Sequence, residues 1–181
     1  VQAFGKIPVN FGLLGVDMMT IAAHKVGGPA GVGALVVRDG LALEPLVHGG
    51  GQELRRRAGT ENLVGIAGFA AVAREKPIDV NSLRDELETQ PSEAIVFGKN
   101  AARLSNTTCF ACAGMSAETL LMNFDLEGVA VSSGSACSSG KVARSHVLEA
   151  MRTPHELSRG AIRVSLGWDT THENINHFIA V

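Results

Sequence analysis

Two side chains stand where covalent chemistry needs them. Lys25 follows His24 at the end of a short apolar run, Asp17 to Ala22, and precedes a turn built from Gly27, Gly28, Pro29 and Gly31. Most lysines are simply solvated charges, but one at such a junction can be partly desolvated, which favours the neutral amine that attacks carbonyl carbon and forms Schiff bases. Cys137 lies near the centre of S-S-G-S-A-C-S-S-G, Ser132 to Gly140. A packed free cysteine usually lies in an apolar run, whereas this one is flanked by hydroxyls and glycines. It reads as a mobile, exposed, reactive thiol, with an inert loop cysteine as the bland alternative. With a reference pKa of about 8.5, such a thiol needs a nearby cation or proton acceptor to attack at neutral pH.

Other patterns carry weaker signals. Cys109 and Cys112 form a C-x-x-C inside a run that reads as a strand, where positions i and i+3 point to opposite faces, so a shared metal or a disulfide is not expected. His146, His155, His172 and His177 show no ligand spacing, and no metal site is expected. Arg55, Arg56 and Arg57 lack interleaved aromatics and read as a solvated or ion-paired stretch. The H-G-G-G of His48 to Gly51 imitates an esterase oxyanion loop, but no G-x-S-x-G elbow accompanies it.

The elements that must position these groups follow from periodicity. Asp17 to Val37 predicts strand, loop, strand around Lys25, and His48 to Gly51 is too rich in glycine for regular structure. Thr60 is the expected N-cap of a helix reaching about Glu75, stopped by Pro77. A domain boundary is placed near residue 76. Beyond it, helix signals cover 82–89, 116–126, 145–151 and 171–180, and strand signals cover 94–97, 106–111, 129–132 and 161–166. Ser116 is an expected N-cap, and Thr170 with Glu173 an expected capping box. The second part reads as a small α+β domain of residues 77–181.

The 181 residues carry a net charge of −2 with signs interspersed, which offers no footprint for nucleic acid. No apolar run reaches the length of a membrane span, no leader pattern is present, and the three cysteines are irregularly placed. A soluble, cytoplasmic protein with free thiols is expected. The chain begins at Val1 in what reads as the middle of a motif, so upstream sequence is expected.

Five segments occur in one order: A-H-K-V-G-G-P-A-G-V-G-A-L from Ala23, H-G-G-G-Q-E from His48, R-A-G-T-E-N from Arg57, S-S-G-S-A-C-S-S-G from Ser132, and R-V-S-L-G from Arg163. Together they resemble the cysteine desulfurases of the NifS and IscS type, in the class V aminotransferase group. The resemblance implies a fold-type-I pyridoxal-phosphate enzyme, α/β overall. Residues 1–76 would end the large cofactor-binding domain and 77–181 would form the small α+β domain bearing the cysteine loop. It implies that Lys25 binds pyridoxal phosphate covalently and shuttles the substrate α-proton. His24 would contact the cofactor phosphate, Gln2 its phenolate oxygen, and Thr60 the phosphate of the other subunit of a homodimer. Arg163 would grip the carboxylate of L-cysteine, and Cys137 would take its sulfur as a persulfide, leaving L-alanine. An iron-sulfur scaffold or another acceptor protein would receive that sulfur.

Two positions depart from the pattern: Ala22 replaces a phosphate-binding serine, and Ala30 the lysine of G-P-K-G. The family's phosphate-cradling loop, ring-stacking histidine and pyridine-pairing aspartate all belong upstream of this region, so the chain corresponds to about the latter half of such a protein. Two rivals stand beside this reading. One is a related class V lyase or aminotransferase, selenocysteine lyase included, and the other a truncated fragment without catalysis.

Overall fold

β-Branched and apolar residues between glycines place Met18–Ala22 (β1) and Gly33–Val37 (β2) in extended backbone. The computed structural model describes residues 1–77, 79–91, 93–134 and 145–181. The chain divides into two compact units, Val1–Ile78 and Asp79–Val181.

In the first unit β1 and β2 pair antiparallel, Met18 opposite Val37 and Ala22 opposite Gly33. Between them Ala23–Val26 makes a single 3-10 turn that carries His24 and Lys25. Gly27, at φ 83°, closes that turn in the left-handed region that favours glycine, and the Gly28 N–H donates to the Ala23 carbonyl at 2.9 Å. Helix α1, Leu63–Val72, starts at Asn62, whose side-chain oxygen accepts from the Gly65 N–H at 3.0 Å. Thr60, the expected cap, lies outside the helix; the short Asn62 amide takes the role. The helix also ends before Glu75, because Arg74 and Glu75 donate to Ala71 and Val72, tightening the chain into three-residue turns ahead of Pro77. A Cβ at Gly68 would collide with Pro29, and one at Gly28 would press on Val72, so α1 rests directly on the loop that follows Lys25. Phe4 meets Phe69 edge to face, ring centres 6.3 Å apart.

The second unit is an antiparallel sheet covered by helices. Its strands are β3 (Ala94–Val96), β4 (Thr107–Cys112), β5 (Ser132–Ser133) and β6 (Ile162–Ser165), in the order β3-β4-β6-β5. Along β6 the buried Ile162 and Val164 alternate with the exposed Arg163 and Ser165, the period of two that sends one face to the core. Helix α2 (Asn81–Thr89) turns Leu83 and Leu87 inwards at a spacing of one turn. Helices α3 (Ala117–Leu126), α4 (His146–Ala150), α5 (His155–Arg159) and α6 (His172–Ala180) complete the unit. Phe178 stacks on Phe124 at 4.6 Å and meets Phe110 edge on at 6.1 Å. Glu88, buried in α2, takes Arg103 in a two-pronged pair at 2.8 and 2.9 Å.

Ser116 caps α3 as its spacing implies. The last helix is capped one residue later than expected, by Thr171 with Asn174, because the Thr170 hydroxyl is engaged by the Gly167 N–H at 2.8 Å. The strand expected over 129–132 shrinks to Ser132–Ser133, since Gly128 at φ 74° and the Val129 N–H bonded to the Phe124 carbonyl prolong the end of α3. Helix α5 has no buried residue and thus no apolar stripe by which to find it. Among the described residues no helix is long and apolar enough to cross a membrane.

Candidate active site

Each unit presents one cluster. In the first, the residues Val1 to Lys6 fold into a turn, with the N–H groups of Lys6 and Ile7 both donating to the Ala3 carbonyl. Gly5 has φ 75°, and a Cβ there would collide with the Val26 side chain, so this turn sits against the turn that holds Lys25. Lys6 Nζ donates to the Gln2 side-chain oxygen at 3.1 Å and to the Gln2 carbonyl at 3.2 Å. The Lys6 ammonium is held below the usual lysine range by partial burial and by the positive charge of Lys25. His24 and Lys25 are exposed on their turn, and Thr60 is exposed just ahead of α1.

The H-G-G-G segment folds as a loop around a cavity of about 310 Å³ lined by Pro45, Val47, His48, the three glycines and Arg55. Glu53, Leu54 and Arg55 all have positive φ, and the Gln52 side chain accepts from the Gly59 N–H at 3.3 Å, tying this loop to the segment of Thr60. Arg57, exposed, donates to the Ala58 carbonyl at 2.8 Å.

In the second unit the register brings three groups to one face of the sheet. Arg163 on β6 lies opposite Cys109 on β4 and opposite Ser132 on β5. Burial pushes the Cys109 thiol above its ordinary value, and the Arg163 charge opposes that rise. Beyond Ser133 the Gly134 N–H donates to the Ala161 carbonyl at 2.6 Å, and a Cβ at Gly134 would collide with Ala161. The stem of the cysteine loop is therefore anchored on the strand of Arg163. Cys137 itself lies outside the described residues. Cys109 and Cys112 are free thiols, and burial also raises the second.

Sequence reasoning did not single out Lys6, and it weighed Cys109 only as half of a C-x-x-C, not as a neighbour of Arg163. Lys6 was recognisable from its spacing of four from Gln2 within a glycine-containing turn. Cys109 was not, because its place beside Arg163 depends on strand register.

These clusters can be set beside known proteins. A family model described as aminotransferase class-V matches residues 1–178. The chain belongs to the class-V aminotransferases. Members of this family are pyridoxal-phosphate enzymes, and the fold is that of fold type I. The chain is 46% identical over 192 residues to a protein named cysteine desulfurase IscS from Dictyoglomus turgidum, covering all of this chain and 49% of that one. It superposes with a TM-score of 0.84 and 36% identity on a NifS-like protein from Rickettsia africae, covering 99% of this chain and 50% of the other. A third likeness, at TM-score 0.73 and 31% identity over 91% of this chain and 48% of the other, is to SspA solved in complex with cysteine. The chain spans about half the length of the curated relatives it matches.

Proposed function

We propose that this class-V chain carries the lysine, the carboxylate anchor and the sulfur-accepting thiol of a cysteine desulfurase. The reaction is L-cysteine plus an enzyme thiol giving L-alanine plus an enzyme persulfide. One observation carries the reading: the stem of the Cys137 loop pairs with the strand of Arg163, so Arg163 lies directly across from the root of the nucleophile's loop.

The donor set of the first unit fits pyridoxal phosphate. Lys25 offers an exposed primary amine for the cofactor aldehyde, Gln2 offers an amide N–H to an anionic oxygen, and His24 and Thr60 offer donors to phosphate. When bound, the cofactor supplies an electron sink that acidifies the substrate Cα–H and weakens its C–S bond. Lys25, once neutral, takes the proton from Cα and returns a proton to carbon as alanine forms. Arg163 holds the substrate carboxylate by two parallel N–H···O bonds, a geometry a planar fork supplies and an ammonium does not. The Cys137 thiolate attacks the substrate sulfur; the new S–S bond forms as the C–S bond breaks. The run of serines and glycines around Cys137 places no bulky side chain beside a thiol that must meet substrate and then a sulfur acceptor. The same reading extends to a cytoplasmic homodimer delivering sulfur to an iron-sulfur scaffold or another acceptor protein.

The test uses the intact protein loaded with cofactor and given L-cysteine. Borohydride reduction should leave a pyridoxyl group on the Lys25 peptide, and mass spectrometry should find persulfide on the Cys137 peptide. Cys137→Ser should bind cofactor normally yet form no persulfide, and Arg163→Lys should raise KM for cysteine about tenfold or more. Parental sulfide release by Cys137→Ser, or labelling of a different lysine, overturns the reading.

A further inference from the structure

We propose that Lys6 is a positioning residue, which fixes the Gln2 amide so that its NH2 group is committed to donating beside the Lys25 amine. The inference rests on the cofactor reading above and adds a residue to it.

An amide side chain can present either end to a neighbour, and its two ends look alike in shape. A lysine ammonium removes that freedom because it has three donors and no acceptor. Lys6 therefore selects the Gln2 oxygen, which it meets at 3.1 Å, and its second bond to the Gln2 carbonyl at 3.2 Å clamps the residue at both ends. With the oxygen occupied, the amide nitrogen is left as a pure donor. Such a group discriminates for an anionic acceptor and against another donor.

The clamp is aimed by packing. Gly5 lies so close to Val26 that no side chain fits between them, which seats the Gln2–Lys6 turn on the turn of Lys25. Partial burial and the charge of Lys25 together hold Lys6 below its ordinary value. A group bonded covalently at Lys25 and carrying an anionic oxygen would meet the Gln2 donor and the Lys6 charge together. Both favour the state in which that oxygen is negative.

The experiment is a pH titration of the visible absorption of pyridoxal phosphate bound to the intact protein. In Lys6→Met the titration midpoint should rise by about one pH unit, because a cation and an oriented donor have both been lost. Lys6→Arg keeps the charge and the donors and should restore the parental midpoint. Adding Gln2→Ala to Lys6→Met should move the midpoint no further, since the amide acts through its clamp. A parental midpoint in Lys6→Met, or shifts of the two substitutions that simply add, overturns the role of Lys6 while leaving the cofactor reading intact. A parent that acquires no visible band with cofactor overturns the cofactor reading itself. Lys6 is a half-exposed turn residue, so an unchanged circular dichroism spectrum is expected in every variant.

Discussion

The two units solve opposite problems. In the second, Leu87, Ile162 and Ile175 are almost fully withdrawn from water around the Phe110, Phe124 and Phe178 rings. In the first, Ala23, Ala58 and Phe69 are the buried apolar residues among those described, while Leu46, Leu54, Leu63 and Val64 stand 97%, 85%, 71% and 85% exposed. Its helix α1 is apolar on all sides, as a helix covered all round would be. The amine-bearing unit thus holds its turns by glycine contacts and backbone bonds, whereas the unit with Arg163 holds its site by a core. Most of the buried core lies in one unit, whereas the proposed chemical groups are divided between the two.

Cutting the chain between the units should show the largest effect. Residues 79–181 should unfold as one cooperative transition and stay monomeric, while residues 1–78 should associate through their exposed apolar surface and show no such transition. Sedimentation and urea unfolding of the two pieces check this. A monomeric, cooperative first piece would erase the contrast.

Single substitutions sharpen it. Phe178→Ala removes a ring that stacks on Phe124 and abuts Phe110, and should cost about 4 kcal/mol in urea unfolding. Leu46→Ala, at a residue almost wholly in solvent, should stay within about 0.5 kcal/mol. Equal costs would mean that the exposed surface of the first unit is covered in solution.

The Glu88–Arg103 pair gives the second unit a pH signature. Burial alone would raise the Glu88 carboxyl, but the Arg103 hydrogen bonds and the Arg103 and Arg84 charges outweigh it and hold the group below its ordinary value. The pair's contribution is then complete above the unfolded-chain value of about 4.3 and is lost as pH falls through the lower folded value. Glu88→Gln should flatten the fall in unfolding midpoint between about pH 5 and pH 3. An unchanged acid slope would assign that fall to other carboxylates.

Much of this was legible in the residues. The strand, turn and strand around Lys25, the Ser116 cap and the inward leucines of α2 follow from glycine placement and period, because those signals are local. What escaped was set at longer range or by a single hydrogen bond. Cys109 faces Arg163 through a register that neither strand encodes alone, and the Ser132–Ser133 strand is too short to carry alternation. Thr60 and Thr170 were plausible caps by type, yet Asn62 and Thr171 hold those positions. The Cys137 loop is read from composition alone, and residues 135–144 lie outside those described.

That last contrast yields the smallest prediction. Thr171 accepts from the Asn174 N–H at 3.3 Å, and the Asn174 side-chain oxygen accepts from the Thr171 N–H at 2.9 Å, so each satisfies a donor the first turn of α6 would leave open. Thr171→Ala removes one bond and loosens the other, and should cost about 1 kcal/mol. Asn62→Ala makes the same kind of loss at α1, where the side chain accepts from Gly65. In the second unit the cost should appear as a shift of the global unfolding midpoint, because α6 carries Ile175 and Phe178 into the core. In the first unit, with few buried contacts to share the strain, it should appear as faster amide exchange confined to α1. Hydrogen exchange of both variants separates the outcomes. A global shift from Asn62→Ala as large as that from Thr171→Ala would show that the first unit is as cooperatively bound as the second.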